Sequence, residues 1–206
     1  MVKSHGSLIV FYGVNNVGKT TQARLLLKAL QDQERKARMV KYPIHDLAPT
    51  GRIINEYLRE GNPHSISKRE AQILYAMNRT HFEPTLREYL SDGEIVIAED
   101  YTGTGIAWGM SGGIDKAFLT EINQHLLDEH VGIYLEGERY LVGREEGHMH
   151  ETDDERMSEM KEIFDELAED FSWNHVMANR PISDVHSDVL KIIDAHLESM
   201  GENIRP

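Results

Sequence analysis

Gly13-Val14-Asn15-Asn16-Val17-Gly18-Lys19-Thr20 decides how this chain is read. Glycine, four residues, glycine, lysine and a hydroxyl residue is the spacing of a phosphate-binding loop. Its flanks agree: the apolar run Leu8-Ile9-Val10-Phe11-Tyr12 comes before it and a helix-favouring stretch, Gln22 to Gln33, after it. In a strand, loop, helix unit the glycines let backbone N–H groups converge on phosphate oxygens at the positive end of the helix. Lys19 adds a charge, and the Thr20 hydroxyl can hold Mg²⁺. The residues expected on the nucleotide are Gly13, Asn15, Asn16, Val17, Gly18, Lys19, Thr20 and Thr21. The plain alternative is a glycine-rich turn with no ligand.

Outward from the loop, short apolar runs alternate with longer periodic segments, the pattern of a parallel sheet with helices on both faces. Strands are expected near Ser7–Tyr12, Arg38–Tyr42, Glu94–Ala98, Val131–Leu135 and His175–Ala178. Helices are expected over Lys19–Glu34, Gly51–Glu60, Lys68–Leu90, Lys116–Leu127, Asp153–Asp170 and Asp184–Ser199. Ser67 with Glu70, and Thr152 with Glu155, read as capping boxes that mark two of the helix starts. The fold class is therefore α/β, a five-stranded parallel sheet with helices on both faces. Nothing marks a second domain, so residues 1–206 are expected to form one, with a small lid segment at about 137–152.

Bulk composition narrows the chemistry. Lys plus Arg total 22 against 35 Asp plus Glu, a formal charge of −13, which argues against nucleic acid or an anionic membrane as the main partner. The absence of Cys removes disulfides and thiol catalysis and agrees with a reducing compartment. The N-terminal residues lack the apolar core of a signal peptide and no apolar run is long enough for a membrane span, so a cytoplasmic location is expected.

Strand ends carry the candidate site, because in an open parallel sheet the ligand crevice lies beyond their carboxyl ends. After Lys41-Tyr42-Pro43, the residues Lys41, Tyr42, His45 and Arg52 either surround an anion or form an ordinary solvated loop. Tyr75 and Arg79 are four apart on one helix face, placed to stack on a flat base and to bond its edge or a phosphate. The helix alone also fits a core Tyr75 and a surface ion pair at Arg79. Glu99 and Asp100 follow a buried-strand run, where a nucleotide-bound Mg²⁺ needs ligands; with Thr20 they form the expected metal set. The glycine-rich Thr102–Gly109 stretch is expected to let backbone approach a ligand, with Trp108 walling a base pocket. The polar segment after Leu135 suits closure over phosphates, with Arg139, Arg144 and Arg156 as its cations.

Together these stretches resemble thymidylate kinases, nucleoside monophosphate kinases with a phosphate loop. The resemblance runs from about Leu8 to Leu190. Its marks are Phe11-Tyr12-Gly13 into Gly18-Lys19-Thr20-Thr21, Tyr42-Pro43, Thr50-Gly51, Leu74 to Arg79 with Pro84, Glu99-Asp100-Tyr101, and Asp153 to Phe171. The resemblance implies that Tyr75 stacks on the pyrimidine, that Arg79 reads its edge, and that Thr104 and Trp108 line the same pocket. It puts Asn15 where an acid usually contacts the sugar 3′-hydroxyl, and His45 where an arginine often binds phosphate. Arg144 first, and then Arg139 or Arg156, look like lid arginines that reach the transferring phosphate. A P-loop kinase fold and a homodimer are also implied.

Three acceptor-side positions depart from the family. Asp100 stands where the usual Asp-Arg-Tyr has its arginine, and Asn15 and His45 replace charged residues. The implied reaction is in-line transfer of the ATP γ-phosphoryl group to a deoxypyrimidine monophosphate, dTMP first, with Lys19, Glu99 and Arg144 catalytic and Asn15, Tyr42, His45, Tyr75, Arg79, Asp100, Thr104 and Trp108 around the acceptor. The altered positions keep open a kinase for another pyrimidine monophosphate or nucleoside, and a nucleotide-binding regulatory module without transfer. A GTPase is disfavoured, since no Asn-Lys-x-Asp stretch is present.

Overall fold

The computed structural model describes residues 6–138 and 150–201. Its elements in chain order are β1 (Ser7–Tyr12), α1 (Lys19–Asp32), β2 (Ala37–Lys41), α2 (Thr50–Arg59), α3 (Lys68–Ser91), β3 (Ile95–Glu99), α4 (Thr102–Ser111), α5 (Lys116–Glu121), β4 (Val131–Glu136), α6 (His150–Asp170), β5 (Asn174–Met177) and α7 (Ile182–Ser199). All strand pairs are parallel, in the order β2-β3-β1-β4-β5. β1 lies at the centre and every residue of it is buried, as is every residue of β3. The apolar runs are continuous rather than alternating because both faces of the sheet are covered.

Most boundaries follow the sequence closely. Ser67 caps α3 through the expected reciprocal pair: Glu70 N–H donates to Ser67 Oγ, and Ser67 N–H to Glu70 Oε2. The second expected cap is displaced, since α6 starts at His150 and Thr152 falls inside it. The helix expected to run to Leu127 stops at Glu121. There Asn123 turns its Nδ2 onto the Leu119 carbonyl at 2.8 Å and offers Oδ1 to Arg79, so the chain breaks into turns. Most of the segment expected to form a lid, residues 139–149 with Arg139 and Arg144, lies outside the described residues.

The largest departure is α4. Its glycines look like loop residues, yet the segment is a helix held by close tertiary packing. A Cβ at Gly103 would lie 2.4 Å from the Trp173 ring, and one at Gly109 would lie 2.5 Å from Leu119. Trp173 stacks at 3.8 Å on Tyr12, the last residue before the phosphate loop, and its Nε1 donates to Glu129 at 2.7 Å. Burial pushes the Glu129 carboxyl above the usual range. Trp173 thus props the strand end that presents the loop. Replacing it with Ala should lower stability by about 3–5 kcal/mol, read as a shifted urea midpoint at constant slope.

Candidate active site

Beyond the carboxyl ends of β1, β2 and β3, a cavity of about 920 Å³ opens between the phosphate loop, the loop after β2, α3 and α4. Such a crevice at the point where strand order reverses is where this architecture takes its ligands.

Its donor wall is the phosphate loop. Gly13, Asn16 and Gly18 have positive φ of 132°, 62° and 112°. Lys19, only 5% exposed, donates from Nζ to the carbonyls of Gly13 at 2.7 Å and Val14 at 3.0 Å, and lies 3.6 Å from Asp100 Oδ1. The Thr20 hydroxyl points at the Glu99 carboxylate, 2.8 Å from Oε2 and 2.9 Å from Oε1. Of the loop residues expected on nucleotide, Asn15, Asn16, Gly18, Lys19, Thr20 and Thr21 face the cavity. Val17 does not: its side chain is buried in the core, 3.1 Å from where a Gly13 Cβ would stand. Gly13 enters only through its backbone, its carbonyl already taken by Lys19.

Tyr42, His45, Tyr75, Arg79, Asp100, Thr104 and Trp108 line the same cavity, so all eight residues expected around the acceptor, counting Asn15, come together there. Arg79 is buried, its Nε and Nη2 donating to Asn123 Oδ1 at 3.1 and 2.8 Å. Burial pulls its pKa down to about 10, which still leaves it protonated at neutral pH. Tyr75 is half-buried and its phenol is pushed up to about 12 by burial, so it acts as an aromatic surface and not as an acid. Asn78, fully buried, bonds the backbone of Ile44 at both its N–H (2.8 Å) and its carbonyl (3.0 Å), and the Thr50 hydroxyl at 3.0 Å. That clamp fixes the loop bearing His45, whose imidazole is pushed below its ordinary pKa chiefly by burial.

Asp100 adopts a positive φ of 64° at the end of β3 and accepts from Thr104 Oγ1 at 3.0 Å. Burial raises its carboxyl, opposed first by Lys19. Arg52, read as a candidate anion ligand, instead lies 77% exposed beside Glu56. Its position on α2 turns it out of the cavity. Arg156 falls within α6.

Sequence reading missed two residues that line the cavity, Gln72 and Lys68, and one behind it, Asn123. Gln72 shares the α3 face of Tyr75 and Arg79 and is 6% exposed. The i, i+3, i+7 spacing to Tyr75 and Arg79 would have found it. Lys68 lies one turn before it on the same face. Asn123, which holds Arg79, had no local signal.

An α/β sheet of this strand order, with the phosphate loop at its central strand, defines a P-loop nucleotide-binding protein. The thymidylate kinase family profile matches residues 11–189. The chain belongs to that family of ATP-dependent nucleoside monophosphate kinases. It is 27% identical over 203 residues to the thymidylate kinase of Dictyostelium discoideum, covering 97% of this chain and 90% of that protein. To the human thymidylate kinase it is 24% identical over 194 residues, covering 92% and 90%. Its fold matches the thymidylate kinase structure from Candida albicans with a TM-score of 0.74 at 23% identity, over 98% of this chain and 96% of that one.

Proposed function

We propose that this protein transfers the γ-phosphoryl group of ATP to the phosphate of dTMP, giving dTDP and ADP. The observation that carries the reading is one cavity with a phosphate loop on one wall and, facing it, an aromatic ring and a fixed guanidinium on α3. Transfer of this kind asks little covalent chemistry of the protein, because the acceptor phosphate is already a nucleophile. The protein positions the two substrates and neutralises charge. Lys19 and the loop N–H groups hold the β- and γ-phosphates, Tyr75 stacks on the base, and Arg79 donates to its edge.

The donor set at Thr20, Glu99 and Asp100 is all oxygen, a hydroxyl and two carboxylates, and fits the hard cation Mg²⁺. The ammonium of Lys41 already rests on Glu99 Oε1 at 2.6 Å, a sign that this oxygen attracts positive charge. Held by Thr20, Glu99 and Asp100, Mg²⁺ would supply neutralisation of the nucleotide's phosphate charge.

Arg144 is assigned to the lid as the arginine that reaches the transferring group. The same reading makes the protein a single domain, cytoplasmic and a homodimer. Ile73 and Met77, 45% and 46% exposed and four apart on α3, offer an apolar surface for a second copy. The test is a coupled assay of ADP release from Mg·ATP against a panel of deoxy- and ribonucleoside monophosphates. Release that depends on dTMP is expected. No stimulation by any acceptor would overturn the proposal and favour a binding module without transfer.

A further inference from the structure

At two acceptor-side positions where the resemblance implies an arginine, this cavity has none: burial pushes the His45 imidazole towards its neutral form, and Asp100 is an acid. A monophosphate dianion placed there needs a cation. Among the described residues, the Lys and Arg side chains lining the cavity are Lys19, Lys41, Lys68 and Arg79. Lys19 is committed to the Gly13 and Val14 carbonyls on the donor wall. Arg79 is anchored on Asn123 beneath the base slot. Lys68 opens α3, away from the strand ends in the chain, its stem 3.4 Å from where a Gly112 Cβ would stand.

Lys41 remains, and the sheet puts it in the right place. In the parallel register Lys41 pairs with Glu99, so the two side chains leave the ends of neighbouring strands on the same face. Its Nζ donates to Glu99 Oε1 at 2.6 Å, yet the side chain is 57% exposed. Its ammonium shares Glu99 Oε1 with the Thr20 hydroxyl, and Glu99 adjoins Asp100 at the strand end, so the charge stands on the cavity that His45 and Asp100 also line. Glu99 is buried but the lysine is not, and a four-carbon stem lets the ammonium swing without moving the backbone, leaving the carboxylate on the Thr20 hydroxyl.

We propose that Lys41 is the acceptor-phosphate cation of this site, leaving Glu99 to pair with the monophosphate and standing in for the arginine replaced by Asp100. The inference rests on the monophosphate kinase reading and adds the residue that makes an anionic acceptor tolerable beside two acids.

The test compares wild type, Lys41→Met and Lys41→Arg by calorimetric binding of dTMP and of thymidine, with turnover measured alongside. Lys41→Met is expected to weaken dTMP binding about tenfold or more while leaving thymidine binding within about twofold, because only the phosphate is lost as a partner. Lys41→Arg should restore most of the dTMP affinity. Equal loss for dTMP and thymidine would mark a structural role and overturn the proposal, as would unchanged dTMP binding by Lys41→Met. Wild type that binds dTMP but shows no turnover would count against the kinase reading alone. Wild type that binds no dTMP would sink both.

Discussion

Lys19→Met is expected to lower the rate of ADP formation by about 10²- to 10³-fold, since a preorganised charge aimed at developing negative charge is worth that much in a water-poor site. The loss should appear in kcat, measured by steady-state assay at saturating substrates. The geometry adds a second consequence. Lys19 Nζ satisfies two loop carbonyls and faces Asp100 at 3.6 Å, so methionine leaves those carbonyls unpaired and the buried carboxylate without its main counter-charge. Stability should fall by about 1–3 kcal/mol. Adding Asp100→Asn to the Lys19→Met background should recover part of that stability, because a neutral amide needs no counter-ion, without recovering turnover. Urea unfolding and the kinetic assay together separate the two roles. Turnover within about tenfold of wild type in the single variant would contradict the assignment of Lys19.

What the sequence made legible was local. The phosphate loop is written in consecutive residues, the β1 and β3 runs are apolar throughout, and the Ser67 cap lies within one turn. Glu99 could be placed at the cavity because a carboxylate at the end of a buried parallel strand lies at its mouth. What stayed hidden depends on partners distant in sequence. The pair of Lys41 with Glu99 exists because β2 lies beside β3 and not beside β1, an order that adjacency in the chain does not reveal. The helix α4 defied its glycines because Trp173 and Leu119 pack where side chains would have been. Propensity lost there to tertiary contact. The three altered acceptor positions were visible as anomalies, but only the register shows a cation within reach of them.

Gly105→Ala should raise the KM for the acceptor by about 10- to 100-fold while leaving the KM for ATP within about twofold, a displacement near 1 Å being enough to spoil an aligned contact. A Cβ at position 105 would stand 2.9 Å from Arg79 Nη2, closer than real contacts allow, and a tight 3.1 Å from Nη1. The guanidinium has no free retreat. On its other side Nε and Nη2 donate to Asn123 Oδ1, and Asn123 is itself held by the Leu119 carbonyl at 2.8 Å. The methyl group must therefore push Arg79 off Asn123 or lift α4, and both shift the group that reads the base. Asn123→Ala releases Arg79 from the opposite side and should move the acceptor KM in the same direction. The two substitutions act on one group, so their combined effect should fall short of the sum, the signature of a shared partner. Arg79→Leu removes the donor altogether and sets the ceiling for all three. A matching rise in the KM for ATP would show that the damage spreads through the cavity and is not confined to the acceptor wall.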